Sequence, residues 1–75
     1  MTTIKIQGFE IKLYDTILFE SKEDDPATKE KRLYDATIIA FAPNSGMVKL
    51  SERAINHTYW CRIDELDKIL DIVEV

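Results

Sequence analysis

The chain has 75 residues, a net charge of −4 and one cysteine. This length predicts a single domain over residues 1–75. So short a chain buries only about 60–65% of its unfolded surface, which is close to the lower limit for folding unaided. One cysteine excludes a disulfide within the chain, and we expect a reducing, cytoplasmic setting. The N-terminus lacks the apolar stretch of a signal peptide, and IIAFA is too short to cross a bilayer, so we expect no membrane association.

The negative charge is concentrated at the C-terminal end. Residues 1–63 hold nine acidic and nine basic residues, whereas residues 64–75 hold five acidic and one basic residue. An acidic chain without a cluster of Lys and Arg is poorly suited to a phosphate backbone. Nucleic acid is therefore the less favoured partner, and a basic site on another protein is compatible with the charge.

Period-two patterns along the chain predict strands. TIKIQ and EIKL alternate polar and apolar residues near the N-terminus, and TILF and ATIIAFA are rich in β-branched and aromatic residues. The segment APNSGM places Pro43 and Gly46 in a turn, so ATIIAFA and MVKLS should pair as a hairpin. YWCRI and DIVEV predict two further strands.

Two segments interrupt the strand pattern. Asp25 followed by Pro26 is typical of a helix start, so residues 20–32 form either a single helical turn or a charged loop. Near the C-terminus, the spacing of Asp64 and Asp67 resembles a capping arrangement and favours one helical turn over residues 65–69. The fold class is therefore mostly β, a small five-stranded barrel that leaves few exposed edges. The alternative is an α+β fold with a C-terminal helix.

The stretch KLYD at residues 12–15 has a partial copy, because LYD recurs at residues 33–35. We interpret both copies as entries from a turn into a strand, with Asp15 and Asp35 bonding to the local backbone. KLYD also resembles the opening of SH3 domains, and an acidic loop follows it. The resemblance implies an SH3-like barrel in the broad sense and a weak binding role for Tyr14. The family's late Pro-Ser-Asn-Tyr segment is absent, so we do not expect a peptide-binding SH3 domain.

The residues for catalysis or metal binding are few. His57 is the only histidine and Cys61 the only cysteine, and a Cys–His pair would need HTYWC to be helical, whereas its aromatic residues favour a strand. One histidine and one cysteine are too few for a zinc site. We therefore expect no enzymatic activity, no metal site and no cofactor.

The strongest candidate site is the predicted strand YWCRI. There Tyr59, Cys61 and Ile63 share one face, and Trp60 and Arg62 share the other. Because Cys61 and Ile63 suit the interior, Trp60 and Arg62 should lie outside, and both residue types are enriched at binding hot spots. The competing interpretation is that Trp60 packs beneath the charged loop or the C-terminal turn.

The sequence thus favours a protein–protein interaction module that binds another protein through Trp60 and Arg62, with Tyr34 and Tyr14 as weaker contributors. A small accessory protein of a phage or mobile element is the expected setting, and homo-oligomerisation stays open. The alternative is a nucleic-acid-binding barrel that stacks bases on Tyr34 or Trp60. Its cations would be Lys29, Lys31, Arg32 and Arg62.

Overall fold

A computed structural model describes residues 3–73, and strands account for most of them. The strands are β1 (Thr3–Ile6), β2 (Phe9–Lys12), β3 (Thr16–Asp24), β4 (Lys31–Ala42), β5 (Met47–Glu52), β6 (His57–Arg62) and β7 (Lys68–Val73). Three single 3-10 turns cover Pro43–Ser45, Arg53–Ile55 and Ile63–Glu65. The predicted mostly β class is therefore confirmed.

The strands form two antiparallel sheets. β1 and β2 make a hairpin, and the other five strands form a sheet in the order β6-β5-β4-β3-β7. β3 to β6 follow one another as a meander, and β7 returns to pair with β3. Within residues 3–73, β6 and β7 are the two outer strands and do not pair with each other. The predicted closed five-stranded barrel is therefore not confirmed.

One apolar core joins the hairpin to the larger sheet. Ile6 and Ile11 of the hairpin are buried together with Phe19, Ile38 and Leu50 of the central strands. The inward side chains of β5, at positions 48, 50 and 52, are all buried, as strict alternation requires. The face that packs on this core is called the inner face below, and the opposite face is called the outer face.

The predicted hairpin between β4 and β5 is confirmed. Pro43 opens the 3-10 turn, and Gly46 ends it with a left-handed φ of 65°, a conformation that glycine adopts without a steric penalty. The β5–β6 connection repeats this design with Asn56 at a φ of 48°. Asparagine tolerates that conformation better than most residues, which explains a turn that the sequence pattern did not reveal.

Of the two alternatives for residues 20–32, the single helical turn is wrong, and the charged loop is right in kind but shorter than predicted. β3 continues to Asp24 and β4 begins at Lys31, so only residues 25–30 connect the strands. The Asp25 carboxylate accepts a hydrogen bond from the Ala27 N–H at 2.7 Å, and the Asp25 N–H donates to the Glu30 carbonyl at 2.7 Å. Asp25 therefore organises a hairpin loop and does not cap a helix, because Asp caps turns by the same local bonding.

The C-terminal predictions need two corrections. The turn occurs at Ile63–Glu65 and not at residues 65–69, and the chain is extended again from Lys68. The alternative fold with a C-terminal helix is wrong, because β7 pairs with β3 up to Val73. Residues 71–73, the described part of DIVEV, are extended in β7, as the β-branched alternation predicted.

The two LYD copies have different structures. Tyr14 lies in a turn with a φ of 72°, and the Asp15 carboxylate accepts a hydrogen bond from the Lys12 N–H at 2.8 Å, as predicted. Tyr34 and Asp35 instead lie inside β4, where Asp35 pairs with Leu18 of β3. The interpretation of both copies as turn-to-strand entries is therefore wrong for the second copy.

Candidate functional site

β6 presents Trp60 and Arg62 together on the outer face of the sheet. Tyr59 and Cys61 are half-buried against the core, whereas Trp60 and Arg62 are exposed. The Trp60 side chain is 46% exposed, a large fraction for an indole. The structure thus places both residues on the exposed face, a point that the sequence left open for Trp60, and their role in binding stays a prediction.

The neighbouring strand extends this exposed region. Lys49 pairs with Trp60 across the β5–β6 ladder, and Met47 pairs with Arg62. The Lys49 Nζ lies 5.9 Å from the centroid of the Trp60 ring, which is within reach of a cation–π contact worth about 0.5–1 kcal/mol at an exposed site. We call these four residues the Trp60 surface. The indole remains exposed beside Lys49.

The Arg62 guanidinium has a weak partner. Its Nε lies 3.3 Å from Asp64 Oδ1, and both side chains are more than half exposed. An exposed ion pair of this kind contributes about 0–1 kcal/mol and is screened by salt. A partner carboxylate can therefore replace Asp64 at little cost.

The outer edge of β6 carries free backbone groups. In an antiparallel ladder, alternate residues direct both their N–H and C=O toward one neighbour. The Ile63 N–H donates to the Gly46 carbonyl at 2.9 Å, one step beyond the Met47–Arg62 pair. Counting back from Ile63 in steps of two, Cys61, Tyr59 and His57 direct their backbone groups toward β5. Those of Thr58, Trp60 and Arg62 therefore point away from β5, where the Arg62 carbonyl accepts a weak hydrogen bond of 3.5 Å from the Cys61 thiol. No described strand pairs with that edge.

Tyr34 is not part of the Trp60 surface. It pairs with Phe19 on the inner face, and the two rings stack with their centroids 5.3 Å apart. The Tyr34 hydroxyl donates a hydrogen bond to the Asp67 carboxylate. The Arg32 guanidinium lies 4.7 Å from the Tyr34 ring centroid. Tyr34 therefore has a packing role between the sheet and the segment before β7.

A buried carboxylate organises the inner face beside Tyr34. Glu52 is 6% exposed and ends the inward series of β5. The Arg32 Nη2 donates to Glu52 Oε1 at 3.1 Å, and the Tyr59 hydroxyl donates to Glu52 Oε2 at 2.9 Å. Both carboxylate oxygens are thus satisfied, which burial of a charge requires. This arrangement fixes β4, β5 and β6 relative to one another.

The same contacts shift the ionisation of both tyrosines. Burial, followed by the hydrogen bond to Asp67, raises the pKa of Tyr34 above its ordinary value. Burial and the hydrogen bond to Glu52 raise the pKa of Tyr59 in the same way. Both phenols therefore remain neutral donors at neutral pH, and neither is poised to act as a base.

Tyr14 lies apart from the other predicted site residues. It is 69% exposed, and its N–H donates to the Ile38 carbonyl at 2.7 Å. Its side chain lines a cleft of about 520 Å³ between the β2–β3 turn and β7, which Lys12 and Ile72 also line. β7 is the outer strand opposite β6 in the strand order, so Tyr14 and Trp60 belong to different surfaces.

The potentially reactive side chains are separated. β6 is extended, so His57 and Cys61 lie on one face with Cα atoms roughly 13 Å apart by strand rise. Burial raises the pKa of the Cys61 thiol, which opposes thiolate formation. Within residues 3–73, no group of three or more His, Cys, Asp and Glu side chains is placed to hold a metal ion.

Most cations proposed for nucleic-acid binding already contact carboxylates. The Lys31 Nζ lies 3.8 Å from Asp24 Oδ1, and the Arg32 guanidinium forms an ion pair with the Glu52 carboxylate. Arg62 contacts Asp64, as described above. The partially neutralised cations are also divided between the two faces of the sheet.

A scan of protein-family models, a search of curated proteins and a search of solved structures each found no significant match to this chain. Among residues 3–73, no helix is long and apolar enough to span a membrane.

Sequence reasoning missed Glu52 and gave Asp67 a capping role, whereas Asp67 accepts the hydrogen bond from Tyr34 and caps no helical turn among the described residues. The signal for Glu52 was its position in the alternation of MVKLSE, where it follows the inward Val48 and Leu50 by two residues. Asp67 had no comparable signal, because its contact with Tyr34 joins residues 33 positions apart in the sequence.

Proposed function

We propose that this chain is a non-enzymatic interaction module that binds another protein through the Trp60 surface. The observation that carries the proposal is the exposed indole of Trp60, held by a regular strand beside Arg62. Trp and Arg dominate binding hot spots because they supply a large contact area and several hydrogen-bond donors. The strand fixes the backbone of both residues before binding, which lowers the entropic cost of association.

A protein partner accounts for the charge pattern better than a nucleic acid does. The chain is acidic overall, and Arg32, Lys31 and Arg62 contact carboxylates. A nucleic-acid site would need free cations along one face, together with stacking aromatics on that face. Tyr34 and Trp60 lie on opposite faces, which favours the protein partner.

We also propose that the larger sheet is SH3-like in the broad sense. Its support is the order of connections, in which β3 to β6 form a meander and one 3-10 turn returns β7 to β3. A small accessory protein of a phage or mobile element remains the setting that we predict. Backbone nuclear Overhauser contacts between β6 and β7 would support barrel closure, and their absence in a folded sample would contradict it.

The test of function is an affinity capture from the lysate of the source organism, with and without nuclease. Tagged wild-type protein, Trp60→Ala and Leu33→Ala are compared after circular dichroism has shown that each is folded. Leu33 is the matched control because it is 57% exposed and pairs with Glu20 at the other end of the sheet.

The proposal predicts a protein that the wild type and Leu33→Ala retain after nuclease treatment and that Trp60→Ala loses. Truncating a hot-spot residue costs about 2 kcal/mol or more, which weakens binding by at least about thirtyfold. A folded Trp60→Ala variant that retains the partner fully would contradict the assigned surface. Recovery of nuclease-sensitive material alone would support the nucleic-acid alternative.

A further inference from the structure

The two outer strands of the larger sheet differ in how their edges are protected. At the β7 edge, the Gln7 Oε1 accepts a hydrogen bond from the Ile69 N–H at 2.8 Å, and the Gln7 Nε2 donates to the Asp67 carbonyl at 2.8 Å. The Asp71 carboxylate accepts from the Ile72 N–H at 2.8 Å. Side chains therefore occupy the backbone groups that an added strand would need.

The β6 edge is less protected, because among residues 3–73 its one contact of this kind is a weak hydrogen bond of 3.5 Å from the Cys61 thiol to the Arg62 carbonyl. Its six residues pair with β5 without a register shift, and the segment contains no proline. Thr58, Trp60 and Arg62 direct their backbone groups to the free side, as the ladder alternation requires. A regular, uncovered edge of this length is a template for an additional strand.

The charge near this edge is mixed and leaves a small basic excess. Residues 46–65 contain three basic residues, Lys49, Arg53 and Arg62, and three acidic residues, Glu52, Asp64 and Glu65. Glu52 is buried and bonded to Arg32, and Asp64 contacts Arg62, whereas Lys49 and Arg53 have no ion pair among residues 3–73. An acidic segment is attracted to this region, whereas a second copy would bring a similar positive region against it.

We propose that the β6 edge binds an extended, acidic segment of a partner protein as an added antiparallel strand. This inference rests on the proposed function and specifies how the Trp60 surface recognises its partner. The added strand places an apolar side chain beside Trp60 and, two residues away on the same face, a carboxylate beside Arg62. Its backbone bonds to Thr58, Trp60 and Arg62.

The test uses a blocked, fluorophore-labelled heptapeptide, Thr-Glu-Thr-Leu-Thr-Glu-Thr, in fluorescence anisotropy at low ionic strength. Two peptide controls are matched to it: one has lysine in place of both glutamates, and the other has N-methyl groups on the amides of Glu, Leu and Glu. The protein variants are Thr58→Pro, which removes an N–H directed to the free edge, and Thr58→Ala. Proline is tolerated at such an edge position.

The proposal predicts that the acidic peptide binds wild-type protein and Thr58→Ala with similar affinity. Binding to Thr58→Pro should be at least about tenfold weaker, because one backbone hydrogen bond is lost and the ring obstructs pairing. The lysine peptide should bind the wild type at least about tenfold more weakly, because its charges repel Arg62. The N-methylated peptide should also bind at least about tenfold more weakly, because it lacks the backbone N–H donors. The N-methyl comparison needs no protein variant and so does not depend on the folding of Thr58→Pro.

Three outcomes would overturn the inference. Equal binding of the parent and N-methylated peptides would exclude strand addition, and no binding of the acidic peptide would exclude the proposed ligand chemistry. A concentration-dependent dimer in sedimentation, lost in Thr58→Pro, would assign the edge to a second copy. In each case the lysate capture with Trp60→Ala still tests the proposed function separately, because that experiment measures the side-chain surface and not the backbone edge.

Discussion

Glu52 is the only buried polar residue in the part of the chain that the structure describes. Its charge is stabilised by Arg32 and by the Tyr59 hydroxyl, each of which contacts a different carboxylate oxygen. Arg32 is about half exposed, so solvent screens its attraction to Glu52. Tyr59 is less exposed than Arg32, so water replaces its hydroxyl less readily. Removing this hydroxyl therefore tests the stabilisation of the Glu52 charge more directly.

We predict that Tyr59→Phe lowers the free energy of unfolding by about 1–2 kcal/mol. The substitution retains the ring but leaves one oxygen of a buried carboxylate without its donor. Urea denaturation followed by tryptophan fluorescence measures the change. Tyr14→Phe is the control, because the Tyr14 side chain is 69% exposed, and its unfolding free energy should stay within about 0.5 kcal/mol of the wild type. Equal stability of the two variants would contradict the assigned role of Glu52.

The raised pKa values of Tyr34 and Tyr59 predict a loss of stability at alkaline pH. An unfolded tyrosine loses its proton near pH ~10, whereas the folded protein retains it, so the unfolded state binds fewer protons above that pH. The stabilisation is therefore complete below pH ~10 and is lost progressively as pH rises from this value toward the higher pKa values of the folded protein.

Urea midpoints at pH ~8 and ~11 test this prediction, because they lie on either side of the ordinary tyrosine pKa. The midpoint should fall for the wild type, and the fall should be smaller for a variant with both Tyr34→Phe and Tyr59→Phe. An equal fall in both proteins would assign the alkaline sensitivity to other groups.

Single-residue placement was predictable where a strand alternates without interruption. Trp60 and Arg62 lie on the exposed face as YWCRI indicated, because β5 and β6 pair in a regular register. Tyr34 was harder to place, because its strand was predicted to begin after it. An extra residue also interrupts the β4–β5 register between Ile38 and Ala40. Such a bulge changes which side chains face inward, and no local sequence signal marks it.

At the scale of the elements, the β1–β2 hairpin is attached to the larger sheet through its turn. Gln7 and Gly8 adopt left-handed backbone conformations, with φ of 52° and 86°. This conformation directs the Gln7 amide to the β7 edge, where it bonds on both sides of Lys68. The side chain thus acts in place of a further strand at that position.

We predict that Gln7→Asn lowers the free energy of unfolding by about 1–2 kcal/mol, because the shorter side chain loses both hydrogen bonds. Asparagine favours the left-handed conformation more than glutamine does, so the turn itself should not be weakened. Amide exchange should increase at Ile69 and remain similar at Leu50, which lies in the centre of the sheet. Unchanged protection at Ile69 would show that Gln7 does not secure this edge.

Element boundaries were less predictable than element types. The hairpin at Pro43–Gly46 followed from its turn residues, and both later strands followed from alternation. The signal at Asp25 was ambiguous, because the same carboxylate-to-backbone bond caps helices and closes loops. Pairing of Lys31 with Asp24 extends the two strands toward that loop, and a register shift between Glu20 and Asp24, which no local sequence signal marks, precedes this pair.

At the scale of the whole molecule, a small acidic domain carries one protected and one less protected sheet edge. The mostly β class followed from composition and alternation, whereas the separation into two sheets did not. Sheet closure depends on accumulated twist and on register shifts, and three shifts occur in the ladders of β3 and β4. The less protected edge coincides with the exposed indole of Trp60, and this coincidence is the basis of the proposal that a partner adds a strand there.

The most direct measurement is site-specific photo-crosslinking in the source organism. A benzoyl-phenylalanine residue replaces Thr58, which is exposed two residues from Trp60 on the same face, in one protein and Leu33 in another, and both are irradiated under the same conditions. We expect a discrete protein adduct from position 58, identified by mass spectrometry, and none from position 33. A folded protein that gives the same adducts from both positions, or an adduct from position 33 alone, would contradict the Trp60 surface as the binding site.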